Sequence, residues 1–170
     1  MQSSGFPPVA AADARVLILG SLPGAMSLAR GEYYAQPRNG FWPIMGRLAG
    51  AAPDLPYTQR LDRLRVSRIA LWDVCASGFR PGSLDAAILR DSVVANDFAA
   101  FFAAHPAIGS ICFNGVTAAK LFSRLAPSAG SEIRRITLPS TSPAHAAMPF
   151  SEKLRRWREA LALAGILPQR

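Results

Sequence analysis

Cysteine, lysine and histidine are nearly missing from this sequence of 170 residues, which carries two of each. Cys75 and Cys112 stand far apart, so neither a thiolate-bound iron–sulfur cluster nor a four-cysteine zinc site can be assembled. A lone disulfide is not expected in a reducing cytosol. His105 and His145 lie in separate segments without an acidic cluster, which removes a histidine–carboxylate metal site. Lys120 and Lys153 both fall in predicted helices, so Schiff-base chemistry on a sugar is not expected. Long apolar runs are also lacking: no window nears the ~20 residues of a membrane span. The opening, MQSSGFPPVAAADARVL, has neither the basic patch nor the apolar run of a secretion signal. These absences lead to the expectation of a cytoplasmic protein that uses no metal and no cofactor.

What is present suits a single domain spanning residues 1–170, since half of the residues are hydrophobic and can fill a real core. The formal net charge is +8, and every basic residue except the two lysines is Arg. A field of that sign attracts polyanions, nucleic acid first among them. Arginines that merely solvate helix surfaces account for the charge equally well.

Four short β-rich runs recur: RVLILGS (15–21), RIALWDV (68–74), GSICFNG (109–115) and RRITLPS (134–140). Each is apolar almost throughout, as strands covered on both faces of a parallel sheet are. Helical patterns fill the gaps. In FWPIMGRLAG, Phe41, Ile44, Met45 and Leu48 share one face, and Pro43 suits a first turn. SLDAAILRDSVV reads as helical. NDFAAFFAAHP carries a Phe98, Phe101, Phe102 stripe, Asn96 as cap and Pro106 as stop. VTAAKLFSRLAP turns Ala118, Phe122 and Leu125 inward, and SEKLRRWREALALAG starts at a Ser151 cap with Leu154, Trp157, Leu161 and Ala164 buried. Alternating strands and helices predict an α/β fold, a three-layer α/β/α sandwich with a four-stranded parallel central sheet. Ligands of such sheets bind beyond the carboxyl ends of the strands.

Those ends lead into four turn-rich polar segments: GSLPGAMSL, DVCASGFRPGS, NG and STSPAHA. Gly20 and Gly24 permit close backbone approach, and no Gly-Lys-Ser/Thr follows to make a phosphate loop. Taken together, GSLPG (20–24), YYAQPRNGFW (33–42), FNG (113–115) and LPSTSPAHA (138–146) resemble the motifs of the uracil-DNA glycosylase superfamily, closest to its hypoxanthine (deoxyinosine) DNA glycosylases. The likeness extends over roughly residues 6 to 160. It implies a four-stranded parallel sheet between helices and a monomeric hydrolase acting on DNA that contains a deaminated base.

The resemblance also implies roles. Gly20, Ser21 and Leu22 belong to the base pocket, and Tyr34 stacks on the flipped base. Asn39 orients the hydrolytic water, and Asn114 reads the N1–H and O6 edge. Ser140 and Ser142 bond phosphate oxygens, Pro143 stiffens their loop, and Ala144 and His145 meet the DNA beside them. Three positions depart from the superfamily pattern. Leu22 stands where many relatives carry Asp or Asn, Ser140 where they carry His or Asn, and Ala144 where they insert a Leu wedge. From the residues alone, Asn39 suits an N-cap, Asn114 a helix cap, and Tyr34 a core position like Tyr33 and Trp42. Two other functions fit the motifs: removal of uracil, or of thymine opposite guanine, and a non-catalytic DNA-binding domain that has lost its aspartate.

Overall fold

The computed structural model describes residues 2–167. Its first half runs β1 (Gln2–Ser4), β2 (Val16–Gly20), α1 (Ala25–Arg30), α2 (Phe41–Ala49), α3 (Tyr57–Val66), β3 (Ile69–Asp73) and β4 (Cys75–Phe79). Its second half runs β5 (Val94–Ala95), α4 (Phe98–Ala104), β6 (Ser110–Asn114), α5 (Val116–Leu125), β7 (Arg134–Leu138) and α6 (Phe150–Leu163). All four predicted strands form within a residue or two of their predicted limits.

They pair in parallel in the order β3-β2-β6-β7. Alternation along β2 explains why its sequence is apolar without a break. Val16 and Ile18 enter a core with Phe41, Ile44 and Met45 of α2, Leu64 of α3 and Trp157 and Leu161 of α6. Leu17 and Leu19 enter the opposite core with Phe98 and Phe101 of α4 and Ala118 and Phe122 of α5. Both faces are thus covered, giving the three-layer sandwich. All four β2 side chains are fully buried, so truncating one of its leucines to Ala would cost about 2–5 kcal/mol.

From β2 the chain crosses to β3 on one side and later returns to place β6 on the other. The crossing direction therefore reverses at β2, and a crevice opens beyond its carboxyl end. Three residues close the strands there: Gly20 on β2, Asp73 on β3 and Asn114 on β6.

Four local expectations fail. The segment after β3 is not a free loop. Val74 and Cys75 donate to the carbonyls of Gly20 and Ser21, extending the ladder before the chain peels away as β4. There β4 sits between β1 and β5 in a small antiparallel sheet. SLDAAILRDSVV makes only two 3-10 turns, Asp85–Ala87 and Arg90–Ser92. Its backbone bonds back to β4 through Leu89 N to Phe79 O, and only Ile88 of its apolar residues is buried. Helix α4 is capped by Asp97, whose carboxylate accepts from Ala100 N at 3.0 Å, while Asn96 donates to Asp73 O at 2.8 Å. Helix α6 starts at Phe150, one residue before Ser151, with Pro149 as a cap that has no side chain to offer. Among the described residues no helix is long and apolar enough to cross a membrane.

Candidate active site

The crevice beyond β2 opens into a cleft that collects all four motif segments. Its floor is built around the missing side chain of Gly20. A Cβ there would stand 2.5 Å from Asp73 Oδ1 and 2.8 Å from the Tyr34 hydroxyl, so only glycine lets these two groups converge. Tyr34 adopts the left-handed conformation at φ 54°, unusual for a bulky residue. Its ring stacks on Phe41 at 4.1 Å between centroids, leaving one face for a ligand. The hydroxyl is buried without a hydrogen-bond partner, and burial together with the Asp73 charge raises its pKa.

The neighbouring aromatics are anchors. Tyr33 donates to Pro7 O at 3.0 Å, and Trp42 Nε1 donates to Tyr33 O at 2.9 Å, both rings lying in the core. Between these aromatics, the turn brings Asn39 to the cleft. Its Oδ1 accepts from Phe41 N at 2.9 Å and so satisfies an orphan donor at the start of α2. The second lone pair of Oδ1 and the amide Nδ2 have no protein partner among the described residues.

Asn114 is held differently. Nδ2 donates to Thr141 Oγ1 at 2.9 Å, and Oδ1 accepts from Thr141 N at 2.9 Å. Thr141 O in turn accepts from Gly40 N at 2.9 Å. This buried threonine ties β6, the 138–146 loop and the start of α2 together. In that loop Ser140 Oγ accepts from Ser142 N at 3.1 Å, and Ser142 Oγ accepts from Ala144 N at 3.2 Å. The two serines therefore shape the loop, with Pro143 half-buried and Ala144 and His145 exposed at its tip.

Ser21 is buried and donates to Asp85 Oδ1 at 2.7 Å. Leu22 packs into the core beneath α4 and α5. Its carbonyl and that of Pro23 accept from Arg80, a buried guanidinium that also bonds Asp85 at 3.2 Å. Arg80, Asp85, Thr141 and Asp73 all escaped the sequence reading. For Asp73 a signal existed: it is an acid closing an otherwise apolar run at the carboxyl end of a parallel strand. The other three depend on contacts across long stretches of chain.

Residues 7–163 match the family described as the Uracil DNA glycosylase superfamily. The chain belongs to the uracil DNA glycosylase superfamily. It is 38% identical over 146 residues to a hypoxanthine DNA glycosylase of Methanosarcina acetivorans, covering 85% of this chain and 89% of that protein. It is 37% identical over 116 residues to a hypoxanthine DNA glycosylase of Methanosarcina barkeri, covering 68% and 72%. It also superposes on a solution NMR structure from Methanosarcina acetivorans that carries a provisional uracil DNA glycosylase designation. There the TM-score is 0.76 at 34% identity, with 94% of this chain and 99% of that one covered.

As a DNA glycosylase of this superfamily, the protein needs a face for the base, an edge for it and a held water. Tyr34 presents an aromatic ring to the cleft, Asn39 a neutral amide, and Asp73 and Asn114 polar groups beside Gly20. Asn114 spends one N–H and one lone pair on Thr141 and keeps one of each, its amide fixed in orientation by those two bonds. Leu22, buried and apolar, cannot orient water.

Proposed function

We propose that this protein is a monofunctional glycosylase that hydrolyses hypoxanthine from deoxyinosine in DNA, acting as a single-domain monomer in the cytoplasm with no metal or cofactor. The observation that carries the reading is Asn39 at the lip of the cleft, its amide only partly used by the bond from Phe41 N and lining the same space as Tyr34. Its relatives' named activity on hypoxanthine supports the choice of base. A neutral amide orients water without deprotonating it. That suffices when bond breaking runs ahead of attack, with the sugar cation stabilised by nearby phosphates and the departing purine spreading its charge over two rings. No lysine lines the cleft, which supports hydrolysis over Schiff-base chemistry.

In single-turnover assays on matched duplexes, deoxyinosine is expected to be cleaved faster than deoxyuridine or thymine opposite guanine. A uracil rate above the hypoxanthine rate would reassign the base. Loss of all three activities with DNA binding retained would favour a non-catalytic domain, the reading that the buried Leu22 favours.

The charge of +8 serves the DNA backbone in this reading, with Arg38 and Arg156 at the cleft and the 138–146 loop against phosphates. Affinity for undamaged duplex is expected to fall steeply with salt, as counterions released on binding become harder to release. A log–log slope near zero between 50 and 200 mM salt, roughly the range over which phosphate contacts register, would contradict a backbone role.

A further inference from the structure

Asp73 ends β3 on the floor of the cleft with a side chain that nothing in the protein satisfies. It is 4% exposed, and Oδ2 is buried without a hydrogen-bond partner. Oδ1 lies against the Cα of Gly20, facing the equally unpartnered Tyr34 hydroxyl. Asp73 Oδ2 and the Tyr34 hydroxyl, both buried without a partner on side chains that converge at Gly20 in the lining of an open cleft, mark where a ligand's polar edge belongs. The main chain beneath is fixed, because Asn96 donates to Asp73 O and Val74 N pairs with Gly20 O.

We propose that Asp73 is a catalytic residue whose carboxyl donates a hydrogen bond to the six-position oxygen of the departing base. This inference rests on the proposed activity and supplies a part that Ser140 cannot. As the C1′–N9 bond breaks, its electron pair enters the purine and negative charge gathers on that oxygen. A neutral acid donor strengthens its bond as the charge grows, whereas an ionised carboxylate would repel it. Water adds to C1′ and yields the proton that neutralises the free base, so Asp73 ends the cycle protonated as it began.

The surroundings hold the acid neutral. Burial comes first and the nearby Asp85 carboxylate second, pushing Asp73 up to about 7. Arg80 acts the other way, but its two terminal nitrogens are committed to Asp85 and to the carbonyls of Leu22 and Pro23, and only Nε is left without a partner. The other titratable groups facing Asp73 are Tyr33, Tyr34 and Cys75, all raised by burial and uncharged near neutrality.

The test is single-turnover excision from deoxyinosine duplex between pH 5.5 and 9, for wild type, Asp73→Asn and Asp73→Ala. The wild-type rate is expected to hold below about pH 7 and to fall about tenfold per unit above it, as a single ionisation dictates. Asp73→Asn, whose amide still donates, loses that fall. Asp73→Ala loses roughly tenfold to a hundredfold below pH 7, the worth of one hydrogen bond to a charged group, and the gap to wild type closes above it as the acid ionises. On duplex carrying deoxynebularine, a purine with no six-position oxygen, the Ala variant and wild type should match.

Melting curves give a second readout. In the folded state the acid keeps its proton to about pH 7, while in the unfolded chain it has lost it by about pH 4, so wild type loses stability as pH rises through that window. Asp73→Asn should therefore gain on wild type between pH 4 and 7. Wild-type cleavage of deoxyinosine with an unchanged rate in Asp73→Ala would overturn the role of Asp73 alone. An equal Ala effect on deoxynebularine, or a melting difference that ignores pH, would overturn it too. No wild-type cleavage of deoxyinosine would instead remove the base assignment.

Discussion

Replacing Asn39 by Ala is expected to slow single-turnover excision of hypoxanthine by about a thousandfold in protein that remains folded, with binding to lesion-containing duplex largely retained. The magnitude is that of losing a positioned proton-transfer or water-orienting partner, within the usual range of roughly 10²–10⁴. Asn39 is not the N-cap of α2, a place Gly40 takes; one residue ahead of it, its Oδ1 accepts from Phe41 N at 2.9 Å, so Ala also loses a hydrogen bond worth about 0.5–1.5 kcal/mol. Asn39→Ser keeps an acceptor for Phe41 N but presents a shorter hydroxyl toward the sugar, so it should restore melting temperature without restoring rate. The paired measurement is therefore melting temperature and single-turnover rate for both variants. If Ala melts early, its folded fraction cleaves near the wild-type rate and Ser restores stability, Asn39 is an acceptor for Phe41 N and nothing more.

Gly20→Ala should cost roughly a hundredfold or more in the same assay, while the sheet stays intact. The added methyl would sit 2.5 Å from Asp73 Oδ1 and 2.8 Å from the Tyr34 hydroxyl, distances no real Cβ keeps. Either the two polar groups retreat or the ring of Tyr34 tilts off Phe41. A displacement of about 1 Å in a positioning group is enough for a hundredfold loss. The backbone of Gly20 is not left-handed, so no strain penalty is added, and circular dichroism should match wild type. A variant that cleaves at the wild-type rate would show that the base does not enter beside Gly20.

The large elements were legible because each rests on a pattern repeated along the chain. Three runs that stay apolar on both faces are covered strands, whereas the fourth lies at the sheet edge with Arg134, Arg135 and Thr137 exposed and only Leu138 buried, and the Phe41, Ile44, Met45, Leu48 spacing buries one side of a helix. The failures share a cause. CASGF looks like a loop because small and polar residues carry no alternation, yet its main chain continues the ladder from Gly20 and Ser21. SLDAAILRDSVV has helical spacing, but Phe79 O accepts from its Leu89 N and Phe79 N donates to its Ser92 hydroxyl, holding it beside β4. Asn96 looks like the better cap until Asp73 O claims its amide.

The candidate site divides in the same way. Tyr34, Asn39 and the 138–146 loop came from motifs, and the structure brings all of them to one cleft. By itself the sequence determined the parallel sheet, the helices that cover it and the end of the sheet where chemistry happens, since hydrophobic periodicity and turn chemistry are local properties. Only the tertiary structure decided which polar groups are already engaged. Asn114 is bound on both sides by Thr141, the arginine nearest Asp73 is held by Asp85, and Asp73 is left buried and unpaired beside Gly20. Hydrogen-bond satisfaction is a sum over neighbours from 5 to 58 residues away along the chain, and no local pattern records it.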